Sequence, residues 1–387
     1  MTTLLLVAGD SSGDQHAAEF VRAFRERDSG ARFVGMAGAR MESAGVEVAV
    51  PQSVLAVSGF SAVASSAVSI VQAWNAMGRV VKEVQPDLAV LVDSGGFNLP
   101  LARRIRRMGD IPILYYVAPQ VWAWRRSRIR KLATRVDRLA VILPFETEVY
   151  AGQPVRVDHV GHPLLDRLSS FPVPGRRERA RHELGVPEAG PLIALFPGSR
   201  RNEVAYHLPL QLQTASWIFE RSPEVRYVLA LASSIEVAFV ESILARNPLP
   251  PGLDLRFVED RSWDALAAAD AALVKPGTVT LEAALLGCPM VVMGRAGRGT
   301  AALLRRFVQV PYLSMPNLLA SEPLVPELYQ EDARPDRIGE CLVGLLSGPG
   351  RDRQRVGFER IRASLGEPGA AQRVAQIAEE MIGSSAS

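Results

Sequence analysis

Cysteine is nearly absent from this chain of 387 residues, with Cys288 and Cys341 the only two. That excludes a disulfide framework and a four-cysteine zinc site, and it points to a reducing compartment. Lysine is almost as scarce: Lys82, Lys131 and Lys275 are the only ones, so an isoelectric point near 9.0 rests on arginine. The 44 basic and 41 acidic residues leave a net charge of +3, so the arginine clusters at 103–107 and 125–131 mean more than the total, and no nucleic-acid partner is expected. Also missing are H-x-x-x-H or H-E-x-x-H spacing among the five histidines, a D-x-D triad, and a G-x-G-x-x-G following any strand-like run. No metal site, no dinucleotide site and no cofactor are therefore expected.

There is no long hydrophobic run either. Residues 48–78 carry no charge, but Pro51, Gly59 and six serines dilute them, which predicts a buried or interfacial helix rather than a membrane span. The opening MTTLLLVAGD has no basic region and soon reaches Asp10, so it reads as a first strand and the chain as cytoplasmic.

What is present is 48% hydrophobic residues and a mean hydropathy of +0.09, enough for sizeable cores. Short apolar runs at 4–8, 32–36, 88–92, 113–117, 138–143 and 155–160 alternate with helical patterns. After a proline-rich, charged stretch over 163–190, a second series follows at 192–196, 227–231, 255–258, 271–274 and 290–293, then helical segments to the end. The expected organisation is an α/β domain over 1–170, another over 171–350 and C-terminal helices over 351–387. Both domains are expected to be doubly wound parallel sheets, with ligands at their strand C-terminal ends across a shared cleft.

Four motifs follow strand-like runs. Gly9-Asp10-Ser11-Ser12-Gly13-Asp14 opens a helix. Its glycines suit an anion but its two acids repel one, so Asp10 and Asp14 either bind sugar hydroxyls or cap the helix. Pro197-Gly198-Ser199-Arg200 forms a second such turn, with Ser199 as a candidate N-cap and Arg200 placed to pair with phosphate. In Lys275-Pro276-Gly277-Thr278, Thr278 offers a hydroxyl and an N–H, and Glu282 one turn later can accept ribose hydroxyls. Two anion-ready helix starts in one domain point to a nucleoside diphosphate. The fourth motif, at 116–125, places Trp122 and Trp124 ahead of Arg125. The tryptophans either wall a sugar or acyl chain or fill core, and the arginines either meet acidic headgroups or are solvated.

Together GDSSGD, GMAGARM (35–41), YYVAPQVWAWR, LAVILPFE (139–146), VGHPLLD (160–166), FPGSRRNEV, PGTVTLE, CPMVVM and the run at 310–330 resemble the lipid-A-disaccharide synthase family, in family order over about 330 residues. The resemblance implies a GT-B fold: two facing Rossmann-like domains with a cleft between them. It also implies inverting transfer of 2,3-diacylglucosamine from its UDP derivative to the 6-hydroxyl of 2,3-diacylglucosamine 1-phosphate. By position, Ser199, Arg200, Thr278, Glu282 and Asn317 would hold UDP. Asp10, Ser12, Gly13, Asp14, Trp122 and Arg125 would line the acceptor side. The implied partners are a UDP-sugar donor, an acylated sugar phosphate acceptor, the anionic inner face of the cytoplasmic membrane by peripheral contact, and a second copy of the chain in a homodimer.

The chain departs from the family at one place that matters for chemistry. Asp93-Ser94-Gly95-Gly96-Phe97-Asn98 aligns with a family run D-x-P-D-F-N, so Gly96 stands where the usual proposed base is an aspartate. Asp93, Asp10 or Asp14 then takes that role, or the acceptor is a different lipid, or the chain binds nucleotide sugar without turnover. Two smaller departures are Asp10 in place of glutamate and Lys275-Pro276 in place of two small residues.

Overall fold

The computed structural model describes residues 1–55, 63–120, 122, 127–171, 175–297, 299 and 310–385. These fall into two units: Met1–Ser170 with Leu365–Ser387, and Phe171–Ser364.

The first unit is built on seven strands: β1 (Thr3–Ala8), β2 (Arg32–Ala37), β3 (Glu47–Pro51), β4 (Leu88–Val92), β5 (Ile113–Tyr116), β6 (Arg138–Val141) and β7 (Arg156–His159). All pairs are parallel, in the order β3-β2-β1-β4-β5-β6-β7. The second unit has β8 (Leu192–Phe196), β9 (Arg226–Leu231), β10 (Leu255–Glu259), β11 (Ala271–Val274), β12 (Met290–Gly294) and β13 (Glu327–Tyr329), also parallel, in the order β10-β9-β8-β11-β12-β13. Central strands such as β4 are buried at every residue, because crossover helices cover both faces and demand a continuous apolar run.

β3 and β13 are absent from the strand expectations above, and both are outer edge strands. β3 exposes four of its five residues and β13 buries only Leu328, so neither presents the apolar run that marks an interior strand. The C-terminal residues 351–387 do not form a part of their own. Helix Pro349–Ser364 stays with the second unit, where the Gln354 amide donates to the Met290 carbonyl and accepts its N–H, extending the edge of β12. Helix Ala370–Ser385 returns to the first. Its Val374, Ala375, Ala378 and Met381 join Phe20, Phe24 and Phe33 in one core, and Glu380 pairs with the buried Arg138 at 2.7 Å. Each helix has an apolar face shaped for a different sheet, and a turn carrying Gly366 and Gly369 separates them.

The charged run at 176–183, inside the proline-rich, charged stretch, is anchored in the second unit. Arg181 is 1% exposed, its guanidinium pairs with Asp270 at 2.9 Å, and it donates to the carbonyls of Pro187, Glu188, Gly190 and Ala268. A buried guanidinium is tolerated because its donors are matched in this way.

Candidate active site

In each sheet the chain reverses its winding direction between two neighbouring central strands, β1 and β4 in one and β8 and β11 in the other. Register aligns Ala8 with Val92, so the turns after β1 and β4 begin side by side. It aligns Phe196 with Val274, which does the same for the turns after β8 and β11. Ligand sites of open parallel sheets form at these positions.

In the first unit, Asp10 caps helix Ser11–Arg25. Its Oδ1 accepts from the Gly13 N–H at 2.7 Å and its Oδ2 from the Ser94 hydroxyl at 3.1 Å. Gly9 permits this approach, since a Cβ there would lie 2.5 Å from Ser94 Oγ. Asp93 and Ser94 both adopt left-handed backbone (φ 47° and 43°). The Asp93 carbonyl is pinned by the Tyr115 hydroxyl and by the Asn98 amide at 3.0 Å. Non-glycine residues held in this region mark a turn that its surroundings over-determine. Burial pushes the Asp93 carboxyl up to about 6, and the Asp10 charge adds to that, while the Ser94 N–H and His16 pull it back. A carboxylate in that range suits a proton acceptor at neutral pH.

Asp14 is differently placed. It is 4% exposed, and its Oδ1 accepts from the N–H groups of Gly38 (2.8 Å) and Met41 (3.2 Å), its Oδ2 from that of Arg40 (3.0 Å). Its lone pairs hold the start of helix Ala39–Ser43, which removes it from the set of proton acceptors and explains why GDSSGD and GMAGARM occur together. Gly13 is buried with its N–H engaged by Asp10. Ser12 is exposed, and its hydroxyl lies 3.2 Å from His16 Nε2. Trp122 is 5% exposed, set edge-on to Phe145, and donates its indole N–H to Glu146 at 3.2 Å, so for this tryptophan the core reading holds. Arg125 and Trp124 lie outside the described residues.

Glu146 went unrecognised as a functional candidate. It is 1% exposed and accepts from the Leu143 N–H at 3.1 Å. Burial pushes its carboxyl up to about 7 against the Leu143, Trp122 and Ile142 donors, with the Asp93 charge adding to the rise. The only trace in the sequence is a glutamate inside the otherwise apolar LAVILPFE.

In the second unit, a cavity of about 230 Å³ is lined by Phe196, Gly198, Ser199, Lys275, Thr278 and Glu282 among others, so three of the five expected UDP-binding positions gather where two helices begin. A fourth, Arg200, follows Ser199 in the chain. Arg200, not Ser199, is the N-cap of helix Arg201–Phe219, and it contributes no side-chain cap. The Ser199 N–H instead donates to Glu203 Oε2 at 3.1 Å. Helix Thr278–Leu285 likewise has no side-chain cap from Gly277, and its first two residues, Thr278 and Val279, line the cavity. Asn317 does not line this cavity. Its amide is buried, donating to the Val325 carbonyl (2.9 Å) and Glu327 (2.8 Å) and accepting from the Val325 N–H (2.8 Å), so it clamps the entry to β13. A larger cavity of about 530 Å³ borders Asn317, with Pro311, Leu324 and Leu345. Among the described residues, no three histidine, cysteine or acidic side chains converge as a metal site.

The chain is similar over 99% of its length to the calicheamicin glycosyltransferase CalG4 (TM-score 0.60, 18% identity, 98% of that chain). It is also similar over 98% to the UDP-GlcNAc 2-epimerase of Neisseria meningitidis, solved bound to UDP-GlcNAc (TM-score 0.62, 10% identity, 99% of that chain). Two parallel-sheet domains with sites at their switch points are the frame of a glycosyltransferase of the GT-B fold. Residues 4–381 match the family model for lipid-A-disaccharide synthetase. The lipid-A-disaccharide synthase of Geobacter sulfurreducens is 39% identical over 381 residues, 98% of this chain and 97% of that protein. The chain belongs to the lipid-A-disaccharide synthase family.

Proposed function

We propose that Asp93 is the base with which this glycosyltransferase forms the lipid A disaccharide, in place of the aspartate missing at Gly96. The observation that carries the reading is a half-buried carboxyl at the switch point, raised to about 6 and fixed by a strained, hydrogen-bonded turn. The 6-hydroxyl of the acceptor attacks the anomeric carbon of the donor sugar from the face opposite UDP. As the new C–O bond forms, Asp93 takes the hydroxyl proton and the bond to the diphosphate breaks, which inverts the configuration. The departing charge meets the N–H groups of the two helix starts and the Arg200 guanidinium. Ser199, Thr278 and Glu282 hold the nucleotide, and Asn317 supports the site by shaping its loop. Asp10 and Ser12 face the acceptor hydroxyls, Trp122 shapes the wall, and Arg125 pairs with the acceptor phosphate.

The acceptor is presented at an anionic, cytoplasmic membrane surface. No described helix is long and apolar enough to cross a membrane. Helix Val63–Val84 nevertheless exposes Val68, Ile70 and Val71, which suits shallow insertion. Of the arginines once grouped together, Arg104 stacks on Trp74 at 4.4 Å and Arg106 pairs with Asp137, so Arg103, Arg107, Arg128 and Arg130 carry the headgroup attraction. Self-association as a homodimer belongs to the same reading and is read from sedimentation of the purified protein.

Purified protein is supplied with the two acylated substrates in vesicles with and without anionic phospholipid, and the products are identified by mass spectrometry. Disaccharide and UDP should appear together, faster on anionic vesicles. UDP release only with another lipid would change the acceptor, and UDP binding without turnover would make the chain a non-catalytic relative.

A further inference from the structure

The nucleotide-binding unit already holds an anion where the diphosphate is expected, and the anion is its own. Glu203 is the third residue of helix Arg201–Phe219 and folds back towards the Gly198-Ser199-Arg200 turn. Its Oε2 accepts from the Ser199 N–H at 3.1 Å. Its Oε1 accepts from Lys275 Nζ at 3.2 Å and from Arg200 Nη1 at 3.2 Å. Gly198 makes room for it, since a Cβ there would lie 2.6 Å from the Glu203 side chain. Burial pushes this carboxyl up, but Lys275, the Ser199 N–H and Arg200 together hold it below the usual carboxylate range, so it is charged at neutral pH.

A glutamate at this helical position that reaches back to a preceding N–H is ordinary capping, and capping alone accounts for the Ser199 contact. It does not account for Lys275, which arrives from the end of β11, 72 residues along the chain, with its side chain only 20% exposed. A backbone N–H at a glycine turn, a guanidinium and an ammonium gathered around two oxygens are the donors a phosphoryl group uses. Ser199 and Lys275 line the cavity that Thr278 and Glu282 share, and Arg200 reaches the same Glu203 carboxylate.

We propose that Glu203 is a resident stand-in for the diphosphate. In the empty protein it holds Lys275, Arg200 and the Ser199 N–H in place, and when the donor binds the phosphate oxygens take these donors over from it. The inference rests on the reading that this unit binds UDP, and it makes Lys275 a diphosphate ligand and Glu203 a positioning residue. The Glu203 charge then lowers the affinity for UDP and speeds its departure after transfer. Two cations against one internal anion leave a local charge of +1; removing that anion without removing its shape leaves +2.

The test is calorimetric titration of UDP, with inorganic pyrophosphate as a second probe, into the full-length protein and three variants. Glu203→Gln keeps an oxygen for the Ser199 N–H, and should bind UDP about tenfold more tightly, with stronger product inhibition and a steeper loss of affinity with salt. Lys275→Met should bind about tenfold more weakly, and Glu203→Gln combined with Lys275→Met should lose the gain of the first change. Glu203→Ala, checked for folding by its thermal transition, repeats the charge removal without the amide. A wild type that binds UDP while both Glu203 variants bind it equally or more weakly overturns the inference and leaves the UDP site standing. A wild type that binds neither UDP nor pyrophosphate overturns the underlying reading and this inference with it.

Discussion

The two sheets share a topology and carry opposite charges at the same place. After β1 and β4 the first unit puts Asp10 and Asp93, and it closes its own helix start with the Asp10 carboxylate. After β8 and β11 the second unit puts Arg200 and Lys275, and neither N-cap residue supplies a side-chain acceptor. A helix start sealed by a carboxylate repels an external anion, whereas one left to a displaceable glutamate invites it. The fold therefore supplies two equivalent positions, and in the proposed reading a few side chains assign a proton to one and a diphosphate to the other.

Asp93→Asn should break this division most sharply. The amide preserves the shape and cannot accept the proton, so kcat should fall by about 10²- to 10⁴-fold while UDP affinity stays unchanged. A base must be ionised to act, so wild-type kcat/KM should rise with pH through about 6, where burial and the Asp10 charge hold the Asp93 carboxyl. Asp10→Asn removes that charge and should move the limb to lower pH. A pH–rate profile that keeps its acidic limb in Asp93→Asn places the base elsewhere.

Arg200→Ala acts on the other unit and should weaken UDP by roughly 1.5–3 kcal/mol, the worth of a hydrogen bond to a charged group. Its side chain is 77% exposed and among the described residues pairs with Glu203, an exposed contact of little worth, so the thermal transition should barely move. Calorimetry with UDP and the acceptor in turn separates the two units: lost acceptor affinity instead would place Arg200 on the wrong side of the comparison.

Interior strands and the turns after them were legible because a strand buried on both faces must be apolar throughout, and because glycine, serine and charge at its end announce a helix start. The edges were not. β3 and β13 present mixed, exposed residues whose pairing depends on a neighbour, as does the return of helix Ala370–Ser385 to the first sheet. In the sites, residue type suggested Ser199 and Thr278, which line one cavity, but it left open which aspartate was engaged. Asp14 and Asn317 look functional as letters, yet their oxygens and amides are filled by backbone groups 24 and 8 residues away, contacts that only the folded chain reveals. Glu146 and Glu203 are hidden in the same way, since Trp122 and Lys275, which set them apart from local caps, come from 24 and 72 residues away.

Gly96→Asp is expected to change least and so sharpens the comparison most finely. The position is exposed in the first turn of helix Gly95–Ile105, and a Cβ there meets nothing within 4 Å, so the side chain enters without strain. A carboxylate at a helix start should stabilise the fold by about 0.3–1 kcal/mol. It also adds negative charge three residues from Asp93, which should move the acidic limb of the pH–rate profile upward while the rate at neutral pH stays within about threefold, since proton acceptance is already served. A gain of about a hundredfold would show that Asp93 alone serves poorly, and a double variant Asp93→Asn with Gly96→Asp that recovers full activity would move the base from the turn after β4 to the helix it opens.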